Sequence, residues 1–116
     1  MKLAIVGSRT FDDYDRMVSV INSQIDLASV SAIVSGGARG ADSLAWRLAQ
    51  DIGILLERHD PDWQTHGRAA GHIRNTAIVD AADAVIAFWD GESRGTQDSI
   101  KKSRAQNKLV FVDIYT

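Results

Sequence analysis

The architecture this sequence predicts is a Rossmann-like, doubly wound α/β fold: a five-stranded parallel sheet with helices on both faces. Three observations carry it. Short apolar runs alternate with longer amphipathic segments along the whole chain, in the order β-α-β-α-β-α-β-α-β. The runs are near-continuously apolar rather than alternating, as strands covered on both faces require. Right-handed crossovers wind such a chain into an open sheet. No repeat or low-complexity tract interrupts the 116 residues, so 1–116 reads as a single domain.

Each element has its own warrant. Leu3 to Val6 is a short apolar run stopped by Gly7, a buried strand. Asp13 to Ala28 spaces Tyr14, Met17, Val18, Ile21, Ile25 and Ala28 at helical intervals, with Asp12 or Asp13 as cap. Ala32 to Ser35 is a second strand, ended by Gly36-Gly37. Ala41 to Asp51 puts Leu44, Ala45, Leu48 and Ala49 on one face, and Gly53 closes this helix. Ile54 to Glu57 is the third strand, followed by a loop at Asp60-Pro61-Asp62. Ala69 to Ala81 is a helix with Ile73, Ala77 and Ile78 facing inward. Ala84 to Phe88, Thr96 to Gln106 and Leu109 to Ile114 complete the pattern as strand, helix and strand.

Charge and composition exclude several classes. Thirteen basic and fifteen acidic side chains give a net charge of −2, so nucleic acid or membrane is not held by bulk positive charge. The chain has no cysteine, which removes disulfides, thiolate metal sites and a cysteine nucleophile. No apolar run approaches the roughly 20 residues of a membrane span, and the N-terminal run is too short for a signal peptide. A cytoplasmic protein with no membrane partner is expected. His59, His66 and His72, with Asp60 and Asp62, match no common zinc spacing, so no metal or cofactor is expected.

In a doubly wound sheet, ligands sit beyond the carboxyl ends of the strands, and there the sequence is distinctive. The first strand runs into Gly7-Ser8-Arg9-Thr10, and the second into Gly36-Gly37-Ala38-Arg39-Gly40-Ala41-Asp42. The fourth runs into Trp89-Asp90-Gly91-Glu92-Ser93-Arg94-Gly95-Thr96. Glycines allow close backbone approach to an anion, helix starts stabilise phosphate, and arginines add forked donors. Arg39, where a glycine turn opens a helix, is the expected principal phosphate ligand. Asp42 suits a helix start and could also accept from a ribose hydroxyl. Trp89 could stack on a base or merely cover the sheet edge. Neither the dinucleotide G-x-G-x-x-G spacing nor a Walker A lysine is present, which argues against an ordinary NAD or ATP site.

These residues carry a resemblance. Ile5-Val6-Gly7-Ser8-Arg9 with Val34-Ser35-Gly36-Gly37-Ala38-Arg39-Gly40-Ala41-Asp42 resembles the paired signature of the SLOG superfamily. That superfamily joins Lonely Guy type phosphoribohydrolases with DNA-processing protein A. Arg74-Asn75, the run Ala82 to Phe88, and Gly95-Thr96 are similar to its second half, and the small single-domain YspA-like branch is the nearest likeness. The resemblance implies a site for a nucleotide-derived small molecule at Gly7, Ser8, Arg9, Gly36, Gly37, Ala38, Arg39, Asp42, Arg74, Asn75, Trp89, Gly95 and Thr96.

Lonely Guy enzymes carry a glutamate three residues after the threonine of Gly-Thr, and here that position is Ser99. A serine cannot supply the carboxylate that glycosidic cleavage uses. Asp98 is adjacent but turned by about 100° on a helix. Binding without turnover is therefore the preferred reading. Cleavage, with Arg74, Glu92 and Asp98 as catalytic candidates, is one alternative. Single-stranded DNA binding is another, although Asp42, Asp60, Asp62, Asp90 and Glu92 offset the arginines it would need. A homo-oligomer is also expected, because the Trp63 region and the helix from Ala69 carry more small and apolar residues than solvent requires.

Overall fold

The computed structural model describes all residues, Met1–Thr116. The chain runs through β1 (Lys2–Gly7), α1 (Tyr14–Gln24), β2 (Ala32–Ser35), α2 (Ala41–Ile52) and β3 (Leu55–Arg58). It continues through α3 (Trp63–His66), α4 (Ala70–Ala81), β4 (Ala84–Trp89), α5 (Arg94–Ala105) and β5 (Leu109–Ile114). All five strands are parallel, in the order β3-β2-β1-β4-β5. This is the Rossmann-like, doubly wound α/β fold expected.

Strand alternation divides the core into two layers. Leu3 and Ile5 of β1 pack with Ile33 and Phe88 against Met17 and Ile21 of α1 and Ala45 and Leu48 of α2. Ala4 and Val6 point the other way and pack with Val34 and Val85 against Ile78 of α4 and Ile100 of α5. The central strands β1 and β4 are covered on both faces, as their apolar runs demand. The edge strands are not: Leu55 is 66% exposed and Ile114 60%.

Three local departures from the sequence expectations have identifiable causes. Helix α1 ends at Gln24 rather than at Ala28, because Ile25 is extended and Asp26 accepts the Ala28 N–H at 3.0 Å, starting a separate 3-10 turn at Leu27–Ser29. The segment before α4 is not all loop. Asp62 accepts the Thr65 N–H at 3.1 Å and caps the single turn α3, which a 3-10 turn at Gly67–Ala69 joins to α4. The inward face of α4 is Ala70, Asn75, Ile78 and Val79, whereas Ile73 is 44% exposed. Polar Asn75 is drawn inside by its bonds to α5.

The topology fixes where a crevice opens. From β1 the chain turns to α1 on one face of the sheet, and from β4 it turns to α5 on the other. The loops above these two neighbouring strands therefore diverge, which defines the switch point of the sheet. Gly7 ends β1, and Gly37 and Gly95 follow the carboxyl ends of β2 and β4, all in one parallel sheet. At Gly7 the strand has no room for a side chain: a Cβ would lie 2.5 Å from the Phe88 carbonyl oxygen and 2.6 Å from Ala41 Cβ. No helix is long and apolar enough to cross a membrane.

Candidate functional site

A cleft of about 390 Å³ lies at this switch point, above the carboxyl ends of β1 and β4. Val6 and Gly7 of β1 line it together with Ile78 of α4 and Ser99 of α5. The β1–α1 loop contributes Arg9 and Thr10, the β2–α2 loop Ala38, and the first turn of α2 Asp42. Helix α4 contributes Arg74 and Asn75, the β4–α5 loop brings Asp90 and Ser93, and the first turn of α5 adds Gly95 and Thr96.

Backbone contacts lock the loops to one another. Ser8 donates its N–H to the Phe88 carbonyl at 2.9 Å, and its own carbonyl accepts from Ala41 N–H at 3.3 Å. Gly40 adopts φ +78 and lies so close that a Cβ there would be 2.5 Å from the Arg9 carbonyl. Only glycine fits such a contact at positive φ. On the other side, Ser93 caps α5, accepting the Thr96 N–H at 3.4 Å. The Thr96 hydroxyl is 3.2 Å from Ser93 Oγ and 3.4 Å from that of buried Ser8. The Ser8 hydroxyl also accepts the Asp90 N–H at 3.2 Å.

The charged groups are held as firmly. Arg74 donates Nε–H to Asn75 Oδ1 at 3.1 Å. Asn75 donates to the Gly95 carbonyl at 3.3 Å and to Asp98 Oδ2 at 3.1 Å. Asp98 in turn receives Lys102 Nζ at 2.7 Å and faces His72 Nδ1 at 3.2 Å. A bonded chain thus runs from α5 to the cleft arginine. Across the cleft, Asp42 accepts from Ser35 Oγ and from Ala38 N–H, both at 3.1 Å. The guanidinium of Arg74 and the Asp42 carboxylate meet in the space that a side chain at Gly36 would need.

Protonation follows from these surroundings. Burial pushes the Asp42 carboxyl above its ordinary range, against the hydrogen bonds from Ala38 and Ser35 and the nearby Arg74. Asp90 is held below the usual range, because its Oδ1 accepts the N–H groups of Ser93 at 2.8 Å and Glu92 at 2.9 Å. For Asp98, burial opposes ionisation, but hydrogen bonds from Lys102 and Asn75 outweigh it and lower the pKa.

Comparison with known proteins is decisive for the family. The sequence model of the YspA, cpYpsA-related SLOG family (YAcAr) matches residues 1–66, more than half of the chain. The chain belongs to this SLOG family. It is also 33% identical over 110 residues to the Gene 61 protein of Mycobacterium phage D29, across 89% of this chain and 88% of that protein. No solved structure matches the chain. The matched span of the SLOG family covers the β1 and β2 loops of the cleft, whereas Arg74, Asp90, Ser93 and Ser99 lie beyond it.

The structure brings many of the expected site residues together and separates others. Gly7, Arg9, Ala38, Asp42, Arg74, Asn75, Gly95 and Thr96 line one cleft, with Ser8 and Gly36 directly against it. Arg39 stands outside: it is exposed and makes no side-chain hydrogen bond. Gly37 is also exposed and faces Arg58 and Asp60. Trp89 donates Nε1–H to the Ser93 carbonyl at 3.0 Å, and its ring lies in a separate groove between α5 and β5. Of the catalytic candidates only Arg74 lines the cleft; Glu92 is exposed and Asp98 is engaged in the bonded chain. The ligand-binding set expected from the sequence left out Thr10, Asp90 and Ser93. Ser93 was legible, since a hydroxyl three residues before Thr96 is a helix-cap signal.

Proposed function

We propose that the cleft binds a phosphorylated nucleoside or another nucleotide-derived ligand, with its phosphate toward Arg9, Arg74 and the start of α5. Membership of the SLOG family supports nucleotide-related binding in general. The observation that carries the finer reading is convergence: Arg9 of the β1–α1 loop, Arg74 of α4 and the first turn of α5 line one cleft. The aligned N–H groups of α5 favour an anion, and the guanidinium forks match phosphate oxygens. Asp42 and Asp90 are acceptors suited to sugar hydroxyls.

Thermal unfolding of the whole chain against a set of nucleotides tests this. A ligand present at 100 times its Kd stabilises the native state by about 2.7 kcal/mol, a rise of several degrees. No rise with any nucleotide at millimolar concentration overturns the proposal. Cleavage of the ligand is a second reading, favoured by one observation: two carboxylates, Asp42 and Asp90, line the same cleft. Chromatography after incubation separates the two, intact nucleotide meaning binding and free base meaning turnover.

The same proposal includes self-association. Trp63, 57% exposed, lies over Gly71, and Ile73 is exposed on the same helix. A second copy of the chain would cover this apolar surface. Light scattering at tens of micromolar is expected to give a dimer or larger; a monomer refutes it.

A further inference from the structure

We propose that the free edge of β5, with the groove beside it, takes an extended acidic segment of a partner protein, added to the sheet as a further strand. The surface lies apart from the cleft and does not depend on what the cleft binds.

The two edges of the sheet differ. β3 is four residues long and ends in Glu57 and Arg58, charged residues that discourage edge pairing. β5 has six residues, Leu109–Ile114, and no lysine or proline. Its one charge, Asp113, is occupied by Arg16 at 2.7 and 3.0 Å, while Val110, Phe111 and Ile114 are exposed. A register shift passes over Val110, so the regular ladder starts at Phe111. Tyr115 donates its N–H inward to the Trp89 carbonyl at 3.0 Å. By strand alternation, the N–H groups of Val112 and Ile114 point off the free edge. The Ile114 carbonyl is met only by Arg16, at 3.5 Å. This backbone is open to strand addition.

The side chains beside that edge set the chemistry of the partner. Trp89, Ile100, Val112 and Ile114 line a groove of about 150 Å³ between α5 and β5. Lys101 and Arg104 line it too; both are exposed and unpaired, whereas Lys102 binds Asp98 at 2.7 Å. Glutamates of an added strand, pointing to α5, would lay their methylenes on Ile114 and reach these two cations. Apolar residues pointing the other way would cover Phe111. A second copy of the chain does not fit. Antiparallel pairing of β5 with its own copy would set the two α5 helices side by side on one face. Helix α5 has four basic residues and one acidic, which is already paired, so like charges would meet.

Fluorescence anisotropy of a labelled octapeptide of alternating valine and glutamate, mixed with the full chain at fixed ionic strength, tests the proposal. A valine–lysine octapeptide is the control, and amide NMR locates the contact. The glutamate peptide is expected to bind with a Kd below about 1 mM, shifting Val112 and Ile114, and the lysine peptide at least about tenfold more weakly. Lys101→Glu combined with Arg104→Glu should weaken the glutamate peptide about tenfold. Ile114→Pro removes an outward N–H where sheet edges tolerate proline, and should do the same. Circular dichroism checks both folds; if Ile114→Pro does not fold, the charge reversal decides alone. Equal binding of the two peptides, unchanged binding after charge reversal, or no binding at millimolar peptide overturns the proposal. So does light scattering in which Ile114→Pro turns a dimer into a monomer, since the edge then belongs to a second copy.

Discussion

Arg74→Ala is expected to weaken mononucleotide binding ten- to a hundredfold while leaving the fold intact by circular dichroism. Loss of a charge-assisted contact to phosphate costs about 1.5–3 kcal/mol, which is that range of affinity. Arg74 is the cleft cation most constrained by the rest of the molecule, since Asn75 holds its Nε at 3.1 Å and is itself fixed by Gly95 and Asp98. Arg74→Lys should recover only part of the loss, because a point charge does not reproduce the fork. Asp42 gives a second readout. Arg74 lowers its already raised pKa, so removing the arginine should move the Asp42 titration further upward. Arg39→Ala is the matched control and should leave affinity nearly unchanged, as that side chain lies outside the cleft. Equal affinity for the wild type and Arg74→Ala would remove the phosphate from this site.

Gly40→Ala should be the most damaging single methyl in the chain. The residue sits at φ +78 and ψ −128, a region that side chains avoid, and its Cβ would be 2.5 Å from backbone atoms of Arg9. Neither the β1 loop nor the start of α2 can move without breaking the Ala41 to Ser8 hydrogen bond. Strain and overpacking together are expected to cost about 2–4 kcal/mol, lowering Tm by on the order of 10 °C. Gly95→Ala is the contrast. It lies within helix α5 with nothing within 4 Å of a Cβ, so it should be neutral or stabilise by up to about 1 kcal/mol. Similar melting for the two variants would show that the Gly40 turn is not a constraint.

The fold was legible because its signals were redundant. The buried strands β1 and β4 are continuous apolar runs, Asp13 and Gly53 mark helix ends at the expected places, and Gly53 does adopt φ +71. What escaped was set by interactions between distant segments. Asn75 looks like a surface residue in sequence, yet it is buried because it bridges α4 to the start of α5. Ile73, which the periodicity turns inward, is correspondingly rotated out.

The site was legible by location more than by side-chain direction. Strand ends pointed to the edge where the cleft opens, but strand and helix periodicity do not say where a loop side chain points. Arg39 and Trp89 lie at the strand ends but do not line the cleft: Arg39 is exposed, and the Trp89 indole bonds the Ser93 carbonyl. Arg74 was identifiable only through resemblance, since nothing in the pattern of α4 distinguishes it from a solvated arginine.

If one cleft between β1 and β4 takes a phosphorylated ligand, amide NMR of the labelled chain titrated with AMP locates it there. The predicted result is shifts that saturate together at Gly7, Arg9, Thr96 and the Arg74 Nε–H. Shifts confined to Lys101, Arg104 and Ile114, in the groove between α5 and β5, or no shifts at millimolar AMP, would contradict it.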